Sequence, residues 1–502
     1  MSETLSNHTS DTKQVWFPST FLCKNSLANR AASGKMVLLF LFCVKKEGIS
    51  TDKPIQRQEP LFSNADLRRL ILPLIVEQFL AIAIGMADTI MVTSVGEAAV
   101  SGVSLVDSIN LLVIQVFSAL ATGGAVVTSQ YLGHRDNRSA CRAAKQLIYG
   151  VAAAALALTA VCLLAREHLL RLIFGAIDAD VMESALAYLL LTAASYPLIA
   201  IYNAGAALFR SMGNSKVSML ASLVVNLINV AGNAVFIYGF HLGAAGAGLG
   251  TLISRVAAAG IMLYLICQPG HPVFVSELWK PEFEPAMLKR ILSIGIPSGL
   301  ENGMFQAGKL MVSSLISSLG TAAIAANAIA NSIGSVPNIP GNAIALALIT
   351  LMGHSIGAGR PEEGARYARR LMGLSYLCLF GTGVLLFFGA GPLVSFFDLS
   401  PEANVMAVEV LQWHGVCSAL LWTPAFVLPC GLRAAGDAKF PMAVSIFSMF
   451  AFRVFLSYAL VWYTPLGLLG VWIAMFADWV CRDIFFLARF LRGRWKTMAL
   501  IG

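Results

Sequence analysis

Residues 73 to 147 can be laid over residues 297 to 371 at a constant offset of 224, without a gap, and the landmark residues coincide. Pro73 falls on Pro297, Glu77 on Glu301, Gly96 on Gly320, Gly133 on Gly357, Arg142 on Arg366 and Leu147 on Leu371. The register returns downstream, where Gly243 and Gly246 fall on Gly467 and Gly470. One residue out of step, the run from Arg210 to Lys216 sits on that from Arg433 to Lys439. A chain that repeats itself over this length folds as two copies of one unit. In an apolar chain that is the usual build of a secondary transporter, with the substrate site between the halves.

The chain is apolar. Hydrophobic residues make up 57% of the 502 and charged residues 12%, about half the charged share of a soluble domain, so the solvent for most of it is a bilayer. Twelve stretches approach the roughly 20 apolar residues of a membrane span. They are 69–94, 103–130, 143–165, 185–208, 217–240, 245–267, 289–317, 323–355, 371–396, 405–430, 441–463 and 467–490. Six fall in each half, and an even number makes the repeats parallel, related by an axis along the membrane normal. The fold class expected is all-α integral membrane: two parallel six-helix pseudo-symmetric bundles around a central cavity.

Basic residues in the short loops set the orientation. Arg135, Arg138, Arg142 and Lys145 follow span 2; Arg210 and Lys216 follow span 4; Arg360, Arg366, Arg369 and Arg370 follow span 8; Arg433 and Lys439 follow span 10. Arg68 and Arg69 before span 1 and Arg489, Arg492, Arg494 and Lys496 after span 12 join them on one side. A multi-pass protein of the cell (inner) membrane with both termini cytoplasmic is expected. The net charge of +8 reflects this bias and attraction to anionic lipids, not nucleic acid.

Five regions result: an N-terminal extension over 1–65, an N-lobe over 66–267, a cytoplasmic linker over 268–287, a C-lobe over 288–492 and a cytoplasmic tail over 493–502. The extension reads as cytosolic and poorly ordered, because its apolar run from Met36 to Val44 is too short to span. The linker carries Pro269, Pro272, Pro281 and Pro285. Nine cysteines scattered singly imply neither a disulfide framework nor a paired metal site.

Three segments carry a family resemblance over about residues 66 to 492. They are Gly85 to Val92 (GMADTIMV) late in span 1, Asn229 to Gly239 (NVAGNAVFIYG) in span 5 and Gly431 to Pro441 (GLRAAGDAKFP) after span 10. These resemble the multidrug and toxic compound extrusion transporters, the MATE family. The resemblance implies two six-helix bundles exchanging an organic, often cationic compound for sodium or protons by alternating access. No cofactor beyond that coupling ion is implied; the partners expected are small organic substrates and membrane lipids, and the chain a monomer.

Ionisable groups inside spans cost about 2.5–3.5 kcal/mol each on insertion scales, so each needs a role or a partner. Asp88 lies eleven residues past Glu77, about three turns, which puts both carboxylates on one face about 16 Å apart. Such a carboxylate either binds a proton or sodium ion or is pinned by amides as a brace. Asp88 matches the family's first-span coupling aspartate. Asn226, Asn229 and Asn233 share span 5, the last two one turn apart. The position of Asn233 is often an aspartate in proton-coupled relatives, so this chain departs from that pattern. Amide oxygens remain able to ligate sodium, and sodium at Asp88, Asn229 and Asn233 is the only metal expected.

In the second half Glu301 resembles the coupling glutamate of sodium-dependent relatives, displaced by about a turn, while the tenth-span acid of those relatives has no match nearer than Thr423. The ion-coupling set expected is Asp88, Glu77, Asn229, Asn233 and Glu301. Asp107, Asn226 and Lys309 are expected in the substrate cavity, with Glu301 and Lys309 lining one wall. Asp478 and Arg482, spaced i,i+4, should neutralise each other. His414 reads as a packing histidine, Pro337 and Pro340 as a kink in span 8.

The glycine-rich run from Gly243 to Gly250 opens a span rather than following a strand, so it serves helix packing and not phosphate binding. There is no Walker lysine motif. A cation-coupled efflux antiporter is the reading favoured. A flippase of lipid-linked saccharides would call for basic residues in the cavity, for which Lys309, Arg255 and Arg453 are the support. A membrane-embedded enzyme would need a string such as H-E-x-x-H or G-x-S-x-G, and neither occurs.

Overall fold

The computed structural model describes residues 59–501 except 176, 177, 279 and 281, and the regular structure among them is helical. The α-helices of the first half are α1 (Asn64–Thr93), α2 (Glu97–Gly133), α3 (Asn137–Leu164), α4 (Arg166–Phe174), α5 (Ala179–Ala194), α6 (Tyr196–Ser211), α7 (Ser215–Ala234) and α8 (Gly243–Ile266). Those of the second are α9 (Pro285–Ser317), α10 (Thr321–Ser335), α11 (Ile339–Gly357), α12 (Pro361–Val394), α13 (Pro401–Trp422), α14 (Leu428–Ala434), α15 (Lys439–Ser448), α16 (Ser457–Tyr463) and α17 (Gly467–Leu491). Each of the twelve expected stretches lies on one helix or on consecutive ones. Nine helical stretches among the described residues are long and apolar enough to cross a membrane, or ten with α5 and α6 taken as one span bent by 46°. The other two are α9 and α17, of 33 and 25 residues, which carry Glu301 and Lys309 and Asp478, Arg482 and Asp483.

Local chemistry explains the starts and the bends. Ser63 caps α1 by accepting from Asp66 N at 3.2 Å while Asp66 accepts from Ser63 N at 2.9 Å. The repeat mates Gly96 and Gly320 precede α2 and α10 with φ of +134° and +98°, a backbone that an L side chain resists. Pro73 and Pro197 have no N–H for the carbonyls of Arg69 and Ala193. The Thr159 hydroxyl donates to the Ala193 carbonyl instead, at 3.0 Å, and that of Ser215 reaches the α1 backbone beside Pro73, 2.6 Å from Leu70 O and 3.3 Å from Arg69 O. The expected kink in span 8 is a 3-10 turn over Val336–Asn338, whereas the matching α2 runs unbroken for 37 residues. Three π-helical turns, Val235–Gly239, Thr423–Val427 and Met449–Leu456, had no sign in the sequence pattern.

The halves meet chiefly where α2 packs against α9 and α11. Glycine permits this approach: a Cβ at Gly133 would collide with the His354 carbonyl, and one at Gly357 with the Gln130 carbonyl. Residues 130 and 354, and 133 and 357, are mates in the repeat, so this is one contact made twice. Between the two, Gly353 faces its own mate Ser129. A residue touches its own mate only on the axis relating two copies, so the pseudo-two-fold passes there. Both helices arrive by their C-terminal ends, as parallel repeats must. The hydrogen bonds are paired as well: Gln130 Nε2 donates to Ala434 O at 2.8 Å, and His354 Nε2 lies 2.7 Å from Ser211 O. Furthest from the basic loops is Asn302 Nδ2 to Gln115 Oε1 at 3.4 Å, halfway along α2. Beyond that level no hydrogen bond or ion pair joins the halves among the described residues.

Parts of three regions outside the expected spans are attached. Residues 61–63, placed in the extension, dock on the second half: Leu61 N donates to Glu363 at 2.8 Å and Phe62 N to the Tyr367 hydroxyl at 2.9 Å. The run from Met36 to Val44 lies outside the described residues. The linker lies along α3, where the Tyr149 hydroxyl donates to Leu278 O at 2.7 Å and Lys145 meets Glu282 at 3.4 Å. In the tail Trp495 is fully buried, stacked on Phe490, and Leu500 N donates to Gln130 Oε1 at 2.9 Å. The reason is common to all three. Backbone N–H groups and an indole ring find acceptors and apolar cover on the helix ends, which composition does not reveal.

Candidate functional site

Glu77 and Asp88 do share a face of α1, and both line a cavity of about 420 Å³ inside the first half, among α1, α2 and α5 to α8. Asp88 Oδ1 accepts from Asn233 Nδ2 at 2.8 Å. The Asn229 amide, turned nitrogen-first, donates to both Asp88 oxygens at 2.8 and 3.2 Å. One turn of α7 separates the asparagines, which is why both reach one carboxylate. Asn233 Oδ1 is buried without a donor. Across the cavity Asp107 accepts from the Tyr188 hydroxyl at 3.0 Å and Asn110 Nδ2 at 3.2 Å. Asn226 lines the same space and donates to Ser222 at 3.1 Å. Arg255 completes it, donating to Ser195 at 2.7 Å. No ion pair joins Asp88 or Asp107 to a cation among the described residues, so two carboxylates and one guanidinium face this cavity held by neutral groups.

Glu77, by contrast, has a cationic partner. Its Oε1 accepts from Arg210 Nη1 at 2.9 Å and its Oε2 from the Ser218 hydroxyl at 2.7 Å. Glu301 repeats the partners but not the geometry: the Ser445 hydroxyl at 2.8 Å and Arg433 Nη2 at 3.6 Å both approach Oε1, and Oε2 is buried without a donor. Arg210 and Arg433 were counted as loop charges, yet their side chains are only 18% and 14% exposed. Each stands in the last turn of its helix and folds back over it, because a carboxylate inside the half offers more than the interface does. Their recurrence in both copies of the repeat, alongside the recurring glutamates, is the signal that would have found these pairs.

The second half holds a smaller cavity of about 50 Å³, lined by Lys309, Asn331, Arg453 and Trp472 among others. Glu301 is not among its lining residues, so the expectation that Glu301 and Lys309 share one wall is corrected: Glu301 is turned to Arg433 and Ser445. Nor does Lys309 join Asp107 and Asn226, which lie in the first-half cavity. Asp478 and Arg482 pair at 2.9 Å as their spacing predicts, and Arg453 stands 3.9 Å from the same aspartate. His414 Nε2 lies 3.0 Å from Gly334 O with the ring edge-on to Trp472 and Trp479, a packing histidine. Thr423, the nearest position to the missing tenth-span acid, is fully buried against Ser375 at 3.0 Å. Sequence reasoning missed Tyr188, Tyr202 and Thr251 in the first-half lining, since single hydroxyls inside apolar runs carry no pattern.

This architecture matches known proteins. The family model MatE matches residues 73–235 and again 297–459, two segments set apart by the offset of the repeat. The chain is 28% identical over 444 residues to the "Probable multidrug resistance protein NorM" of Thermotoga maritima, covering 87% of this chain and 94% of that protein. It is 29% identical over 461 residues to the "Uncharacterized transporter YisQ" of Bacillus subtilis, covering 89% and 97%. Among solved structures, an outward-facing multidrug resistance MATE family transporter of the MOP superfamily superposes with a TM-score of 0.80 at 22% identity, over 88% of this chain and 98% of that one. The repeat, the helical build and the two family matches together place this chain in the MatE family of multi-pass membrane transporters.

Proposed function

We propose that the chain exports organic cations in exchange for sodium or protons by alternating access, with Asp88 as the carboxylate that carries the coupling ion. The observation that supports this most is the Asp88 site itself: a carboxylate in a cavity, contacted by two amides and no cation. An amide is two-sided. Asn229 offers N–H to an empty, charged Asp88 and, turned over, its oxygen to a sodium ion; Asn233 already holds an unused buried oxygen beside the site. A proton would instead neutralise Asp88 directly. Either occupant changes the charge of the cavity, and a cationic substrate competes with it for the same field from Asp88 and Asp107. Glu77 and Glu301 act in this reading as braces rather than ion carriers, each paired with an arginine, and Glu77 has both of its carboxylate oxygens hydrogen-bonded.

Alternation requires a second state in which the basic-loop end opens. The contacts to be broken there include the paired hydrogen bonds between helix ends, and an equilibrium between two states moves only by what an occupant binds differently in them. In the membrane the basic loops and both ends of the chain face the cytoplasm. Purified protein in liposomes, loaded with a fluorescent organic cation and given a sodium gradient or a proton gradient separately, should show efflux driven by one of them. Equal leakage with and without both gradients would remove the antiporter reading.

A further inference from the structure

Arg255 lines the first-half cavity together with Asp88 and Asp107, yet forms an ion pair with neither among the described residues. Arg210, Arg433, Arg453 and Arg482 behave differently, standing 2.9, 3.6, 3.9 and 2.9 Å from a carboxylate. Neutral partners keep the charges of this cavity apart. Arg255 Nη1 donates to the Ser195 hydroxyl at 2.7 Å, at the bend between α5 and α6, while Asp107 is tied to Tyr188 and Asn110 and Asp88 to Asn233. A guanidinium held off two carboxylates keeps its field for whatever enters between them, and an ionisable group that faces a cavity inside the membrane marks a ligand path.

The wall then has a definite charge. Glu77 is cancelled by Arg210, and Asp88 and Asp107, both ionised, outweigh Arg255 by a single negative charge. The three go together in the repeat as well. Their mates, 224 residues on, are Val312, Asn331 and Trp479, all neutral, and the first two line the second-half cavity.

We propose that Arg255 is a specificity residue: it sets the first-half cavity to accept one positive charge, so that monocations bind there in preference to dications. That the exported compound enters this cavity rests on the export reading above; the charge of the wall does not. A cavity of about 420 Å³ is roughly 9 Å across, and at that distance, in an effective dielectric of about 20, one unit charge alters the affinity for another about 20-fold.

Ethidium and propidium provide the test, because they share one ring system and propidium adds a second, quaternary ammonium charge. Their Kd values are read from fluorescence enhancement on the purified full chain at alkaline pH, where a proton is least able to replace a lost guanidinium. The ratio of the propidium Kd to the ethidium Kd should fall about 20-fold in Arg255→Gln and keep its parent value in Arg255→Lys. Asp107→Asn brings the wall to neutrality and should raise the ratio. Asp107→Asn combined with Arg255→Gln returns the wall to one negative charge and should restore it. An unchanged ratio in Arg255→Gln would overturn the assignment. So would a double variant that stays displaced, since a brace lost at Ser195 is not repaired by removing a carboxylate. If Arg255→Gln yields no folded protein, Asp107→Asn decides alone, and a ratio that stays or falls there counts against Arg255. Absence of gradient-driven ethidium efflux from liposomes, with the Kd ratio shifting as expected, would count against the export reading alone.

Discussion

At the basic-loop end the two halves are near duplicates, and away from it they differ in kind. Glu77 with Arg210 repeats as Glu301 with Arg433; Gln130 on Ala434 repeats as His354 on Ser211; Gly133 and Gly357 admit each other's neighbours. The cavities, in contrast, are about 420 and 50 Å³, one faced by Asp88 and Asp107 and the other by Lys309 and Arg453. Symmetry accounts for the division. Across a pseudo-two-fold each surface meets a copy of itself, so a change on one side has to suit its mate, and the joint stays matched. A cavity faces the interior of its own half. Nothing geometric ties its residues to those of the other copy, and its chemistry is free to diverge.

That comparison can be broken most directly at Asp88. Asp88→Asn should bring gradient-driven efflux in liposomes down to the level of protein-free vesicles, while Glu301→Gln, which alters a braced carboxylate, should leave a measurable gradient-driven rate. The reverse ranking would move ion coupling to the second half. Next in size are the braces. Removing one partner of a buried ion pair costs about 3–5 kcal/mol, so Arg210→Ala should lower the Tm in detergent clearly, and Arg433→Ala less, because its pair is longer at 3.6 Å against 2.9 Å. Equal losses would mean that the braces are alike in energy despite the difference in distance.

The joint itself comes third. A valine at Gly133 or Gly357 must displace a backbone carbonyl of the opposite helix, and overpacking of this kind costs about 1–3 kcal/mol. Spread between two states, that is roughly a 5–150-fold change in their ratio. Thiol labelling of a cysteine placed at Ser129 should become faster in both variants by similar factors, since the two contacts are mates; a response from one alone would show the joint to be asymmetric. The smallest effect is expected from the tail. Deleting residues 498–502 removes the Leu500 bond to Gln130, worth about 0.5–1.5 kcal/mol, and should speed the same labelling less than either glycine substitution does.

Much of this was legible because it is periodic. Runs of apolar residues the length of a bilayer predicted where the helices lie, and the kink at Pro337 and Pro340, the Asp478 and Arg482 pair and the shared face of Glu77 and Asp88 all followed from spacing within one helix. The first-half site was half legible: Asp88, Asn229, Asn233, Asp107 and Asn226 were named, but not that Tyr188, Thr251 and Arg255 stand with them. Glu301 and Lys309 were grouped by their spacing on α9, whereas a serine and an arginine from other helices turn Glu301 away. Spacing along one helix says which way a side chain leaves it, not what waits there.

The sequence alone determined that this is a membrane protein and that it is built twice in parallel, because hydropathy, charge bias and self-similarity are properties of order along the chain; its resemblance to the MATE family came from three short motif segments. Only the tertiary structure decided that the arginines of two supposed loops reach back to brace Glu77 and Glu301. Folding likewise drew the segment around Phe62 and the tail around Trp495 onto the body, and left Asp88 and Arg453 without full partners in equivalent cavities of opposite charge. Those outcomes depend on groups far apart in the chain competing for the same few polar atoms in a medium without water. The winner of that competition is fixed by distance in space.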